Sequence, residues 1–297
     1  MKRIILSISG GGAGGESSAY GLSSISHYID PLLDEVSAFA GTSVGAIEAA
    51  YLAHGGSTIG LHEVLKKNIY KAFTKNSWFA RHFKRAPRYN SSYLRDILQH
   101  IFGDITMNEL KTECYIVAYR VTDDATAKRH RRIKVFSSAD TDVKVVDAVL
   151  ASAAAPWFFG SHTVNGVVYG DGGLVDNLPS VLALAHQVDR TRHNPEFFRL
   201  LSVVTGGSEK GNRSKFKFGS IISLAKNIPG DIIPADIDGE ILKADRLVGE
   251  KNHLVLRPPL SEFDLDDVKI QTVLKREWST YLSNEEVLDS IRKWRSF

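Results

Sequence analysis

Near its N-terminus the chain repeats one order twice: a short apolar run, a cluster of glycines, then a stretch with helical spacing. Lys2 to Ser9 runs into Gly10-Gly11-Gly12-Ala13-Gly14-Gly15 and then Glu16 to Ile29, which ends before Pro31. Val36 to Ala40 runs into Gly41-Thr42-Ser43-Val44-Gly45 and an alanine-rich helix to about His54, closed by Gly55-Gly56. A strand followed directly by a helix has to cross over before its next parallel strand. This order therefore commits the chain to an α/β fold whose sheet is covered on both faces.

Downstream, the alternation continues. Leu61 to Phe102 reads mostly as helix, Glu113 to Thr122 and Arg132 to Ser138 as strands, and Val143 to Ala155 as a helix stopped by Pro156. Thr163 to Tyr169 alternates as a strand or a hairpin around Asn165-Gly166, Leu182 to Val188 is helical, and Arg199 to Thr205 and His253 to Arg257 are strands. Ser208 to Asp238, with its glycines and Pro229 and Pro234, reads as an irregular insert or lid in which Phe216 and Phe218 line a cover. Residues 284–297 read as a closing C-terminal helix, and residues 1–297 as a single domain without repeats or linker.

Composition narrows the function. A formal charge of +3 in 297 residues gives no argument for a nucleic-acid partner, and a single cysteine, Cys114, excludes an intrachain disulfide. The apolar run after Met1-Lys2-Arg3 is too short for a signal peptide, and no stretch is long enough to span a bilayer. The expectation is a cytoplasmic protein, peripheral at membranes, with non-classical export left open. Trp78-Phe79-Ala80-Arg81-His82-Phe83-Lys84-Arg85 mixes rings and cations as a lipid interface does, so Trp78, Phe79, Arg81, Lys84 and Arg85 are candidate membrane contacts. Lys128 to Arg132 is a basic run between two strands, read as a hairpin tip.

Ser43 is the centre of the chemistry. In a G-x-S-x-G turn between strand and helix, with Gly41 and Gly45 on either side, a serine oxygen is held exposed as a nucleophile; the alternative is a helix-capping turn. The loop Gly10 to Gly15 admits three functional readings. Gly10, Gly12 and Gly15 satisfy G-x-G-x-x-G, yet no carboxylate ends the second strand as a dinucleotide site requires, and no G-K-[ST] closes a nucleotide phosphate loop. The third reading is an oxyanion hole built on the N–H groups of Gly11 and Gly12. A base for Ser43 comes either from a downstream His186, His193 or His253 in a Ser-Asp-His order, or from Asp171 in Gly170-Asp171-Gly172-Gly173.

Taken together and in order, Gly10 to Gly15, Gly41 to Gly45 and Asp171-Gly172-Gly173 resemble the oxyanion loop, nucleophile elbow and D-G-[AG] motif of the patatin-like phospholipase family. Ala151-Ser152-Ala153-Ala154-Ala155-Pro156 and Asn177-Leu178-Pro179 resemble segments that flank the family's aspartate, and the resemblance covers roughly the first two thirds of the chain. It implies a three-layer α/β/α fold with a mostly parallel sheet, a Ser43–Asp171 dyad, an oxyanion hole drawing on Gly10, Gly11, Gly12 and Gly15, supporting glycines at 41, 45, 172 and 173, no metal and no cofactor. The implied activity is hydrolysis of lipid acyl esters, of phospholipase A or lysophospholipase type, on a phospholipid or other lipid ester at a membrane surface, with an activating partner or small molecule left open. Gly14 stands where the family usually carries Arg or Lys, and Ser9 where an aspartate is frequent. The alternatives are a catalytically weak lipid- or nucleotide-binding module and a Ser-Asp-His esterase.

Overall fold

In a computed structural model, the described residues are 2–73, 75, 87–122, 132–156, 158–205, 233–261 and 266–296. Eight strands form one sheet in the order β5-β6-β3-β2-β1-β7-β8, with β4 also paired to β3. They are β1 (Arg3–Ile8), β2 (Val36–Thr42), β3 (Glu113–Arg120), β4 (Ile133–Phe136), β5 (His162–Val164), β6 (Val167–Asp171), β7 (Phe198–Val203) and β8 (His253–Leu256). The pairs β1–β2, β1–β7, β2–β3 and β7–β8 are parallel; β3–β4, β3–β6 and β5–β6 are antiparallel. The expected mostly parallel sheet is present, with an antiparallel flank built on a tight hairpin. Asn165 and Gly166 turn it, both at positive φ as an Asn-Gly hairpin needs.

The helices are α1 (Gly15–Ser24), α2 (Ser26–Leu33), α3 (Val44–Ala53), α4 (Thr58–Ala72), α5 (Ser92–Phe102), α6 (Val145–Ser152), α7 (Ser180–Thr191), α8 (Ile233–Val248), α9 (Gln271–Leu282) and α10 (Glu285–Ser296). Because side chains alternate along a strand, Ile4, Leu6 and Ile8 of β1 meet a core built with α1 to α6, α9 and α10, while Ile5 faces a second core with α7 and α8. These are the three layers the alternation requires. Burying the central strands on both faces makes them continuously apolar, with Ile4, Ile5, Leu6 and Ile8 all at 2% exposure or less.

Three readings change. The first helix stops at Ile25, and Pro31 lies inside α2. Pro31 is exposed and removes one hydrogen bond from a short helix, which that helix survives. Residues 233–238 belong to α8, where Pro234 stands in the first turn, the place a missing N–H is harmless. The rest of the 208–238 segment, with Phe216 and Phe218, lies outside the described residues, as do Trp78, Phe79, Arg81, Lys84 and Arg85 and the basic run as far as Arg131. Helix α9 went unforeseen, although Leu274, Trp278 and Leu282 bury one face at helical spacing.

The chain lays β2 and β3 on one side of β1 and β7 and β8 on the other. Connections diverge above the carboxyl ends of β1 and β7, and such a crevice is where open α/β sheets receive ligands.

Candidate active site

Ser43 stands between the end of β2 and the start of α3, at φ 55° and ψ −122°. A non-glycine residue holds a positive φ only where its surroundings impose it. The imposition here is steric. A Cβ on Gly41 would come within 2.1 Å of the Gly45 carbonyl oxygen, and one on Gly45 within 2.3 Å of that of Ile8. Both positions must be glycine for β1, β2 and α3 to approach this closely, which is the physical content of the G-x-S-x-G pattern. The Ser43 N–H donates to Oγ of Ser152, 2.9 Å away and fully buried at the end of α6. Ser152 belongs to a segment noted in the sequence, but its hold on the elbow was not foreseen.

Asp171 ends β6, and its own N–H donates to the Ala154 carbonyl at 2.9 Å. One carboxylate oxygen, Oδ1, accepts the Gly173 N–H at 2.7 Å, and the other, Oδ2, accepts the Ser43 hydroxyl at 2.8 Å. Gly172 keeps this turn pressed on β3, since a Cβ there would lie 2.2 Å from the Val117 carbonyl. Burial pushes the Asp171 carboxyl up to about 6, against the two hydrogen bonds that favour its charge. It is therefore ionised at neutral pH yet a stronger base than an exposed aspartate.

The glycine loop closes the site. Gly10 donates its N–H to the Asn177 carbonyl at 3.1 Å, and a Cβ on Gly10 would stand 3.2 Å from that of Ser43, so the loop runs beside the hydroxyl. Gly12 adopts φ 55°, and Gly12 to Gly14 form one 3-10 turn into α1. Thr205, two residues past the end of β7, braces the entry: its N–H donates to Ser9 Oγ at 3.0 Å, and its Oγ1 lies 2.9 Å from the Gly10 carbonyl. Gly15 packs on Val44 of the elbow, with no room for a Cβ. Among the described residues the N–H groups of Gly11 and Gly12 have no hydrogen-bond partner.

Behind the aspartate turn, Asn177 donates its N–H to Asp236 of α8 at 3.0 Å, and Thr42 Oγ1 donates to the Asp176 carbonyl at 2.8 Å. The structure thus brings Ser43, Asp171 and Gly10 together with Gly41, Gly45, Gly172 and Gly173. It places none of the three histidines as the hydroxyl's partner. His253 uses both ring nitrogens elsewhere, on Asp245 and Ser202; the His186 ring lies against Tyr115, and the exposed His193 against Phe197. Among the described residues no three His, Cys, Asp or Glu side chains are grouped to hold a metal, and no helix is long and apolar enough to cross a membrane.

A serine hydroxyl donating to a buried carboxylate beside unpaired backbone N–H groups can lose its proton as it attacks and can stabilise the oxyanion that follows. Comparison with known proteins identifies the family. Residues 6–184 match the family model described as patatin-like phospholipase. A protein of Vibrio cholerae serotype O1 named cGAMP-activated phospholipase is 30% identical over 230 residues, covering 69% of this chain and 64% of that one. An Escherichia coli protein of the same name is 31% identical over 193 residues, covering 61% of this chain and 54% of that one. The chain thus spans less than two thirds of the length of either relative. Among solved structures, VipD from Legionella pneumophila is similar with a TM-score of 0.47 and 14% identity, covering 97% of this chain and 67% of that one.

Proposed function

The chain belongs to the patatin-like phospholipase family, and from that premise we propose that it is a serine acyl hydrolase cleaving carboxylic esters of phospholipids through Ser43 and Asp171. The observation that carries the reading is the 2.8 Å hydrogen bond from Ser43 Oγ to Asp171 Oδ2, made at a backbone held in positive φ. Ser43 Oγ attacks the ester carbonyl while its proton passes to Asp171. The N–H groups of Gly11 and Gly12 receive the oxyanion. Asp171 returns the proton to the departing alcohol, leaving an acyl group on Ser43. Water then gives its proton to the same carboxylate, attacks the acyl carbonyl and releases the fatty acid, with the proton returned to Ser43. With Oδ1 tied to Gly173, only Oδ2 is available for this traffic, so a single geometry serves both halves of the reaction.

Both relatives described above carry cGAMP activation in their names. We extend this to the chain as the class of activator to be tried first. The experiment is intact mass after a fluorophosphonate probe, with and without cGAMP and phospholipid vesicles, on the wild type, Ser43→Ala and Asp171→Asn. One adduct on the wild type, absent from Ser43→Ala and slow on Asp171→Asn, is the expected result. A wild type that takes no adduct under any of these conditions would overturn the reading in favour of a binding module.

A further inference from the structure

Five of the six residues from Gly10 to Gly15 are glycine and the sixth is Ala13, so the loop has no side chain with which to anchor itself. A segment of that composition loses more conformational entropy on ordering than any other, and its N–H groups are useful only if their directions are fixed beforehand. Its entry is fixed by Asn177 and Thr205. At its exit, Ser17 and Ser18 bond the carbonyls of Gly14 and Gly15, but both serines sit on α1 and travel with it. Ser18 also donates to Glu48 of α3 at 2.8 Å, which ties α1 to the elbow helix, but among the described residues the bond to the loop's own backbone at this exit that comes from outside α1 is made by α9.

Gln271, at the first turn of α9 and 1% exposed, donates Nε2 to the Ala13 carbonyl at 2.5 Å. One turn further along the same face, Lys275 donates to Glu16 Oε1 at 2.8 Å, the glutamate being 1% exposed. Gln271 and Lys275, four residues apart on α9, share one face of that helix, and they meet in turn the 3-10 turn that carries Ala13 and the first turn of α1 that carries Glu16. Trp278 sets how near the helices come: a Cβ on Gly21 of α1 would lie 2.3 Å from its ring. An amide and an ion pair buried in such a seam hold helices together no better than apolar side chains of equal size, and Gln271 Oε1 and Glu16 Oε2 are each left without a partner among the described residues. What a polar rung supplies that an apolar one does not is direction, and Gln271 directs the carbonyl of Ala13, whose peptide carries the Gly14 N–H that bonds the Gly11 carbonyl at 2.9 Å, on the same peptide as the Gly12 N–H.

We infer that α9, which lies outside the family-matched residues 6–184, is part of the catalytic apparatus: Gln271, supported by Lys275, is a positioning residue that holds the glycine loop in register for the oxyanion. Gly14 gives the loop no cation of its own, and Lys275 brings one to its exit from another helix. The inference rests on the proposed Ser43 chemistry for its consequence in rate, but not for the clamp itself.

The test uses the full chain, with p-nitrophenyl butyrate turnover and hydrogen exchange of the peptide covering residues 10–16. In Gln271→Met, which keeps length and removes the donor, kcat falls about 10- to 100-fold with KM within twofold, the range of losing part of one oxyanion donor. Exchange in the loop rises at least tenfold while the β2 and β3 peptides keep wild-type protection. Lys275→Met shows the same pattern in weaker form, and Lys275→Arg restores at least half of the rate. A folded Gln271→Met with wild-type kcat and wild-type loop exchange overturns the inference. If Gln271→Met does not fold, the Lys275 pair decides by the same two readouts. If the wild type neither turns over ester nor forms a Ser43 adduct, the catalytic reading has failed, and the exchange data alone judge the clamp.

Discussion

Two serines in this molecule end chains of hydrogen bonds, and the one with the more familiar partners is the one without access to a substrate. Ser202 on β7 lies 2.8 Å from Nε2 of His253, whose Nδ1 lies 2.7 Å from Asp245. The carboxylate can only accept, so Nδ1 carries the proton and a neutral ring accepts from the Ser202 hydroxyl. Serine, histidine and aspartate are then connected in the order of a hydrolase triad. Ser202 is nevertheless fully buried within β7, the His253 side chain has no exposure, and Ser180 Oγ lies 2.8 Å from the hydroxyl. The Ser43 hydroxyl has an aspartate as partner, and it sits half-buried at a strained elbow beside a loop in which two N–H groups are unpaired among the described residues. Residue identity is thus a poor guide to reactivity. Access, a strained backbone and nearby backbone donors are what the proposed nucleophile has and the buried hydroxyl lacks.

The sharpest way to break this comparison is to remove the base from each chain. Asp171→Asn keeps the shape and, with its oxygen toward the Gly173 N–H, turns an NH2 donor toward Ser43 in place of the accepting carboxylate oxygen; it cannot take a proton, so ester turnover drops roughly 10⁴-fold, as for removal of the acid member of a triad. His253→Gln leaves turnover within about threefold. Steady-state hydrolysis of p-nitrophenyl butyrate decides between them. The reverse ranking would make the buried chain the catalyst and would require the sheet to open.

The sequence disclosed these two chains unequally, and for a physical reason. Ser43 and Asp171 each sit in a local pattern whose glycines record close backbone contacts, at Gly45 against Ile8 and at Gly172 against Val117, so the fold leaves a mark beside the functional residue. The central strands were legible for a similar reason, because burial on both faces makes them uniformly apolar. Ser152 bonds a backbone 109 positions away and Gln271 one 258 positions away, and neither contact constrains the residues next to it in sequence. Helix α9 itself had a readable stripe in Leu274, Trp278 and Leu282, obscured by the charged residues between them. His253 follows Ser43 in triad order as one of three alternatives to Asp171, yet its hydroxyl partner is Ser202, since order along the chain does not say which layer a side chain enters.

A second contrast concerns pH. The carboxyl of Asp171 is raised from 3.8 to about 6, so between those values the folded protein retains a proton that the unfolded chain has released. Stability therefore falls as pH rises across that window, by about 3 kcal/mol at 1.36 kcal/mol for each unit. The base becomes available over the same range, so turnover rises with a midpoint near 6 while stability declines. Asp171→Asn is expected to melt higher than the wild type at pH 7 and at nearly the same temperature near pH 4. Thermal unfolding across that range checks it, and a variant no more stable at pH 7 would show that the catalytic carboxylate is not held at an energetic cost.

The buried chain has the opposite dependence. Burial lowers the His253 pKa despite its bond to Asp245, so on acidification the unfolded chain takes up a proton before the folded one does. This contribution to stability is intact above about 6.5, the unfolded value, and is lost as pH falls through the lower folded value. Ser202→Ala leaves Nε2 of His253 and Oγ of Ser180 each short of a partner in a dry interior, which costs roughly 1–2 kcal/mol. It leaves turnover within twofold, because the hydroxyl touches no part of the Ser43 site. Denaturant unfolding at pH 7 measures the first effect and ester hydrolysis the second. A Ser202→Ala protein of wild-type stability would mean that the Asp245–His253–Ser202 chain holds nothing in place. A loss of turnover in a protein that melts normally would mean that the chain reaches the active site through Ser180 and the turn after Asp171.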